Sequence, residues 1–196
     1  MAYFPLFLEL EGLPCLVVGG GRVAAGKVKA LVKAGAKVTV VGRVPVKELR
    51  RFARQGKVAW RRRLFRPGDL KGVRLVVAAT DDQPVNERVS RLARRRGIPV
   101  NVVDQPALCS FIFPAVIRRG KLALAVSTGG ASPALAKWIR KDLQARYGSE
   151  FGWLLTQAAT ARKGVFKKVL SPAARKRLFE KALGAYLQTL SAGHHL

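Results

Sequence analysis

Apolar and polar positions along the first hundred residues follow two alternating rhythms. Leu13 to Val18 is a short apolar run that ends on Gly19-Gly20-Gly21. Val23, Val28, Leu31 and Val32 then recur near helical spacing with lysines between them, and Gly35 closes that helix. Lys37 to Val41 reads as a second strand, Lys47 to Gln55 as a short helix with Leu49 and Phe52 on one side, and Val58 to Arg62 as a weaker strand. A turn at "GDLKG" leads to the apolar strand Arg74 to Ala79, the basic helix Asn86 to Arg96 closed by Gly97, and the strand Ile98 to Val103. The strands are apolar throughout instead of alternating, as strands covered on both faces should be. Tyr3 to Leu10 is expected to add an edge strand.

Strands alternating with helices of this length imply βαβ units, and right-handed crossovers lead to an open, doubly wound parallel sheet of the Rossmann-like α/β class. Beyond Pro114 the pattern changes. Ala115 to Arg118 and Leu122 to Ser127 read as two strands around an "RRGK" turn. Ser132-Pro133 starts a helix, with a serine N-cap and proline at the first helical position, that runs to about Tyr147 before Gly148. Phe151 to Leu190 is helical and basic, with a second Ser-Pro start at Ser171. The organisation expected is a Rossmann-like domain over 1–112, a small α+β module over 113–147 and a helical C-terminal segment over 148–196. The two later parts are too small for independent cores and must pack on another surface.

Charge changes this picture more than length does. The chain carries 37 Lys and Arg against 11 Asp and Glu, a formal charge of +26. Such a surplus bears on partners and solubility and not on the fold. The basic residues are spread through the chain, in Arg61-Arg62-Arg63, Arg94-Arg95-Arg96, Lys167-Lys168 and Arg175-Lys176-Arg177, and read as solvated faces. No aromatic residues are interleaved with them in the manner of base-stacking surfaces, so no nucleic-acid partner is expected. No apolar run approaches the roughly 20 residues of a membrane span, and no membrane partner is expected. The amino terminus lacks the features of a secretory signal. Cys15 and Cys109 are far apart and form no metal-ligand pattern; two lone thiols suit a reducing cytoplasm.

Candidate chemistry begins at the glycines. Gly19-x-Gly21-x-x-Ala24 lies between a strand and a helix, the context in which this pattern binds a dinucleotide. Gly19 permits the tight turn, Gly21 lets the backbone approach the pyrophosphate, and the helix N-terminus supplies amide donors. The acid expected at the end of the second strand, which would grip an NAD ribose, is missing; Gly42-Arg43-Val44 stands there. An arginine accommodates the 2′-phosphate of NADP, so the residues leave NAD and NADP both open. Three of the five aspartates, Asp81, Asp82 and Asp104, fall at the carboxyl edge of the sheet, where ligands of such folds bind. Asp81 or Asp82 can N-cap the next helix, and Asp104 can form an Asx turn before Pro106. Alternatively, Asp104 stands beside the nicotinamide position in a basic, partly desolvated cleft, as an acid–base group. His194 and His195 lie at the extreme C-terminus and offer no competing constellation.

Four stretches in order, "CLVVGGGRVAAGKVKALVKAGAKVTVV", "LVVAATDDQPVNERV", "VNVVDQPALCSFIFPAVI" and "LALAVSTGGASPALAKWIRKDL", closely resemble precorrin-2 dehydrogenases and the matching module of siroheme synthases. The resemblance implies NAD-dependent oxidation of precorrin-2, an acid-rich tetrapyrrole, to sirohydrochlorin, with insertion of Fe²⁺ in some members. It assigns catalysis to Asp104 and dinucleotide contacts to Gly19, Gly20, Gly21, Arg22, Val23, Arg43, Val44, Thr80 and Asp81. Ser127, Thr128, Gly129, Gly130 and Ser132 would line the tetrapyrrole site in a dimerising module, and the helical tail would close over the substrate. It implies a homodimer, with Fe²⁺ a transient substrate near Asp104 where chelatase activity is present; the residues themselves offer no His/Cys cluster for a resident metal and suit the cytoplasm. The resemblance favours NAD, although Gly42-Arg43-Val44 departs from the family's usual residues there. The alternative is an NAD-binding redox sensor without catalysis, for which the "STGGASP" segment and the basic tail have no use.

Overall fold

The computed structural model describes residues 3–167 and 171–193. Its contacts divide the chain into two compact units, residues up to Phe113 together with Gly129–Ala131, and Pro114–Thr128 with Ser132 onward. In the first unit, strands β1 (Pro14–Val18), β2 (Lys37–Val41), β3 (Val58–Arg61), β4 (Leu75–Ala78) and β5 (Val100–Val102) form one sheet in the order β3-β2-β1-β4-β5. Every pairing is parallel. Helices α1 (Arg22–Lys33), α2 (Lys47–Arg54) and α3 (Gln83–Arg95) make three of the four crossovers, and the 3₁₀ turn Pro67–Leu70 lies in the one from β3 to β4. This is the Rossmann-like doubly wound sheet expected from the pattern.

The apolar strands are explained by their two faces. In β1, Cys15 and Val17 point to a layer with Val28 and Leu31 of α1 and Leu49 and Phe52 of α2. The intervening Leu16 and Val18 point to the opposite layer, with Val89 and Ala93 of α3. Because side chains alternate across a strand, a sheet with helices on both sides needs an apolar residue at every position. Burial also pushes the Cys15 thiol up to about 11, which keeps it protonated and unreactive.

Two expectations change. Tyr3 to Leu10 pairs with no strand, and Phe4, Leu6, Phe7 and Leu8 are exposed. Pro5 removes one of the amides a ladder needs. The segment meets the domain at its end, where the Gly12 amide donates to Gly35 O and that of Leu13 to Leu10 O. The Arg61–Arg63 cluster is also not merely solvated. The Asp69 carboxylate, with its side chain 1% exposed, accepts from Arg61 Nη1 at 2.8 Å and Arg63 Nη2 at 2.6 Å. Arg63 Nη1 and the Arg66 amide each reach its other oxygen at 2.8 Å. The network joins the end of β3 to the short 3₁₀ turn Pro67–Leu70.

The second unit holds an antiparallel pair, β6 (Ala115–Arg119) and β7 (Leu122–Val126), and helices α4 (Pro133–Arg146), α5 (Glu150–Lys167) and α6 (Pro172–Gly193). Ser132 caps α4 by accepting from the Leu135 amide, and the Ser171 hydroxyl accepts from the Ala174 amide at the start of α6. The Arg119 guanidinium donates to the carbonyls of Gln144 and Tyr147 and so satisfies the end of α4. Ile117, Ala136 and Leu154 are buried, while Val116, Leu135, Trp138 and Trp153 are exposed. His194 and His195 lie outside the described residues.

The Asp69 network makes a pH prediction. Its arginine partners, Arg63 above all, hold its carboxyl at about 2, against an ordinary 3.8. A lowered folded-state pKa stabilises the fold above the unfolded value. The contribution, about 2 kcal/mol after allowance for the part-exposed arginines, disappears as pH falls from about 4 towards 2. Asp69→Asn should lower the stability measured by urea unfolding by about that amount at neutral pH, and the gap between variant and wild type should close in acid.

Candidate functional site

The sheet register places the functional segments. Arg61, Val41, Val18, Ala78 and Val102 form one row across the five strands. The ladder continues one residue past each end: Gly42 N donates to Arg61 O, Gly19 N to Val41 O, Ala79 N to Val18 O and Val103 N to Ala78 O. The glycine loop, the Arg43-Val44 loop, the Thr80-Asp81 turn and Asp104 therefore leave the same carboxyl edge. The strand order reverses between β1 and β4, where ligands of doubly wound sheets bind.

Each glycine at this edge has its own reason. Gly19 has φ of 126°, closed to other residues, and a Cβ on it would run into the Ala79 carbonyl. A Cβ on Gly20 would strike the carbonyl of Val44, and one on Gly42 would lie 3.2 Å from the Gly19 carbonyl carbon. Gly21 differs. Its backbone is extended, and a Cβ there would meet nothing within 4 Å. Packing within the chain does not demand a glycine at 21. Gly21 is the N-cap of α1, where no side chain caps the helix and no acid occupies the first turn. The open N-terminus of this 12-residue helix, with Arg22 exposed beside it, fits a dinucleotide pyrophosphate. In α3, by contrast, the Asp82 carboxylate already accepts from the Val85 amide. That settles which of the paired aspartates is the cap and leaves Asp81 exposed.

Asn86 was not singled out from sequence. Buried on α3, it accepts from the Thr80 hydroxyl at 2.7 Å and donates to the Thr80 carbonyl at 2.9 Å, pinning the turn after β4. The available signal was an asparagine in the first turns of a helix just after "ATDD". On the β2 side, Trp60 Nε1 donates to Gly42 O at 2.9 Å and steadies the loop that carries the exposed Arg43 and Val44.

Asp104 is exposed, not partly desolvated as expected, and its carboxylate accepts no hydrogen bond among the described residues. No Asx turn forms. Asp104 has φ of 58° and is the one described residue other than glycine in the left-handed region; Asp enters this region more readily than most residues. The loop after it is fastened to α3: Ser90 Oγ donates to Leu108 O and Arg94 Nη2 to Cys109 O, each at 2.6 Å. From inside, Cys109 Sγ accepts from the Val102 amide at 3.1 Å. The structure thus holds the backbone of this loop and leaves its carboxylate unengaged. Lys27 of α1 stands nearby, its Nζ 4.1 Å from the centroid of the Phe113 ring. Burial lowers its pKa, while the negative charge of Asp104 acts in the opposite direction.

Ser127 to Ser132 belong to the second unit apart from the loop's tip, and hydrogen bonds shape this turn. The Thr128 hydroxyl accepts from the Ser132 amide and donates to the Ser132 carbonyl. Gly129 and Gly130 have φ of 64° and 92°. The Ser132 hydroxyl oxygen is engaged in the α4 cap. A surface pocket of about 470 Å³ lies at the other, amino-terminal edge of the sheet, lined by Leu70, Lys71, Val73, Arg96 and Ile98. None of the candidate residues lines it.

Comparison with known proteins bears on this edge directly. The family model described as putative NAD(P)-binding matches residues 6–115, more than half of the chain. The chain belongs to this NAD(P)-binding family. A second model, described as the central part of a sirohaem biosynthesis protein, matches residues 119–146. The NAD(P)-binding chain is 47% identical over 183 residues to a siroheme synthase of Methylococcus capsulatus, covering 93% of this chain and 39% of that protein. A siroheme synthase of Nitrosospira multiformis is 42% identical over 198 residues, covering 98% and 42%. The chain thus spans about two fifths of the length of these curated relatives. Among solved structures, the precorrin-2 dehydrogenase SirC superposes with a TM-score of 0.77 at 29% identity, covering 91% of this chain and 88% of that one. The resemblance drawn from the four motifs is borne out.

The glycines separate packing from ligand binding. Gly19→Ala should cost about 3 kcal/mol of stability or more, from the clash and the forbidden φ. Gly21→Ala should melt within about 1 kcal/mol of wild type, yet bind NAD⁺ about tenfold more weakly by calorimetric titration.

Proposed function

We propose that this chain oxidises precorrin-2 to sirohydrochlorin with NAD⁺, in the cytoplasm and as a homodimer, and that it accepts Fe²⁺ as a further substrate. The observation that carries the reading is Asp104: a carboxylate that accepts no hydrogen bond among the described residues, on a fastened loop, at the sheet edge that also bears an uncapped glycine loop. The likeness to SirC, which extends over nearly the whole chain, supports the substrate.

In this reading Gly19 to Val23 hold the pyrophosphate on the α1 amides, and Arg43, Val44, Thr80 and Asp81 border the rest of the dinucleotide. NAD⁺, when bound, supplies the hydride acceptor. The chain's own part is position and proton transfer. Asp104 takes the proton lost as the macrocycle is oxidised, and its exposure leaves it open to a substrate from solvent. The same carboxylate can accept pyrrole protons when Fe²⁺ enters the product. Ser127, Thr128, Gly129, Gly130 and Ser132 are assigned to the tetrapyrrole, whose many carboxylates account for part of the positive surplus. Residues 1–112 serve as the nucleotide domain, 113–147 as the dimerising module and 148–196 as the helical segment that closes over substrate. The exposed Leu135 and Trp138, three apart on α4, support an apolar interface between two copies.

Asp104→Asn is the decisive variant, because asparagine tolerates the left-handed backbone and removes only the charge. With precorrin-2 and NAD⁺ supplied, sirohydrochlorin formation should fall about 100-fold while NAD⁺ affinity is unchanged. Turnover at the wild-type rate would remove Asp104 from the mechanism. Fe²⁺ added to the same reaction should be inserted faster than in a protein-free control, and an equal rate would mark a dehydrogenase only.

A further inference from the structure

Lys27 carries more than the nucleotide site requires. It is the sixth residue of α1, and it is half-buried in a chain whose basic side chains are mostly exposed. Taking an ammonium part-way out of water is unfavourable unless something answers its charge. The Phe113 ring answers it in part, with Nζ 4.1 Å from the centroid. The Asp104 carboxylate acts on it too, yet Lys27 forms no ion pair within 4 Å among the described residues. An ammonium has three donors and a ring face occupies one direction, so donors remain for an anion.

The nucleotide phosphates belong at the first turn of α1, about 7 Å nearer the N-terminus than the Lys27 backbone at the usual rise per residue, and the NAD⁺ affinity of Lys27 variants separates that anion from a substrate carboxylate. The neighbours of Lys27 are Asp104 and Phe113, on the side where the proposed chemistry takes place. We infer that Lys27 is a substrate-binding residue that grips a carboxylate of the tetrapyrrole beside Asp104, with Phe113 holding the ammonium in place. The inference rests on the functional reading above and adds a specificity determinant to it. A macrocycle anchored there at one acidic side chain presents a defined edge to Asp104.

The full chain tests this, as wild type and as Lys27→Met, Lys27→Gln and Lys27→Arg. The methionine and glutamine variants should raise the KM for precorrin-2, and the Kd for sirohydrochlorin in an absorbance titration, about tenfold. Their kcat should stay within about threefold, and NAD⁺ affinity and melting temperature should not change. Arginine should restore most of the affinity. A wild-type KM and Kd in both neutral variants would overturn the proposal. So would a loss of kcat at unchanged KM, which would mean that Lys27 acts on Asp104 and not on the substrate. If the wild type binds NAD⁺ but neither binds sirohydrochlorin nor oxidises precorrin-2, the functional reading itself fails, and the Lys27 assignment with it.

Discussion

The parallel ladder runs in register through Arg61, Val41, Val18, Ala78 and Val102, and every candidate group of the first unit depends on it. Each strand delivers its following loop at the same height. Neighbouring strands are about 4.8 Å apart, so β1 and β5, with β4 between them, bring the glycine loop and Asp104 to within about 10 Å along the sheet edge. A slip of one residue in β5 would turn Val100 and Val102 away from their layer of the core and move Asp104 off this line. The apolar layer that receives Val100 and Val102, and the hydrogen bond of the buried Asn101 to Phe111 O, oppose that slip. The core thereby sets the geometry of the site.

Above this row the loops meet backbone to backbone, with little help from side chains. Gly19 lies against Ala79, Gly20 against Val44, and Gly42 against Gly19. A surface built from main chain leaves amides free to face a polyanionic ligand and admits no bulk between loop and phosphate. Polar side chains act one step behind it. Asn86 holds Thr80, Trp60 holds Gly42, and Ser90 and Arg94 hold the segment after Asp104.

In so basic a chain the few acids divide the work by their partners. Asp69 is buried between two arginines and stabilises the fold. Asp82 spends its carboxylate on a helix end. Asp104 has no such engagement, and the backbone around it is the part that is held. Lys27 is its counterpart among the cations, half-buried where most are solvated. Half-burial sets Lys27 apart from most cations of the chain, and the left-handed backbone sets Asp104 apart from the other described aspartates.

The sequence by itself determined the strand–helix alternation, the doubly covered sheet, the glycine loop and the serine-proline helix starts. Each of these is a local matter of residue spacing and backbone preference. Asp104 was visible as an acid at a strand end, though not as an exposed one in a left-handed conformation. Tertiary structure alone decided what depends on distant partners. Tyr3 to Leu10 has a strand's composition, but no ladder receives it. Arg61 and Arg63 look like solvent-facing charge until Asp69 is brought beneath them. Lys27 reads as one more lysine on a helix, until the chain returning from β5 sets Phe113 under its ammonium and Asp104 near it. Spacing along one element records which way a side chain faces; what it faces is settled only when chain remote in sequence packs against it.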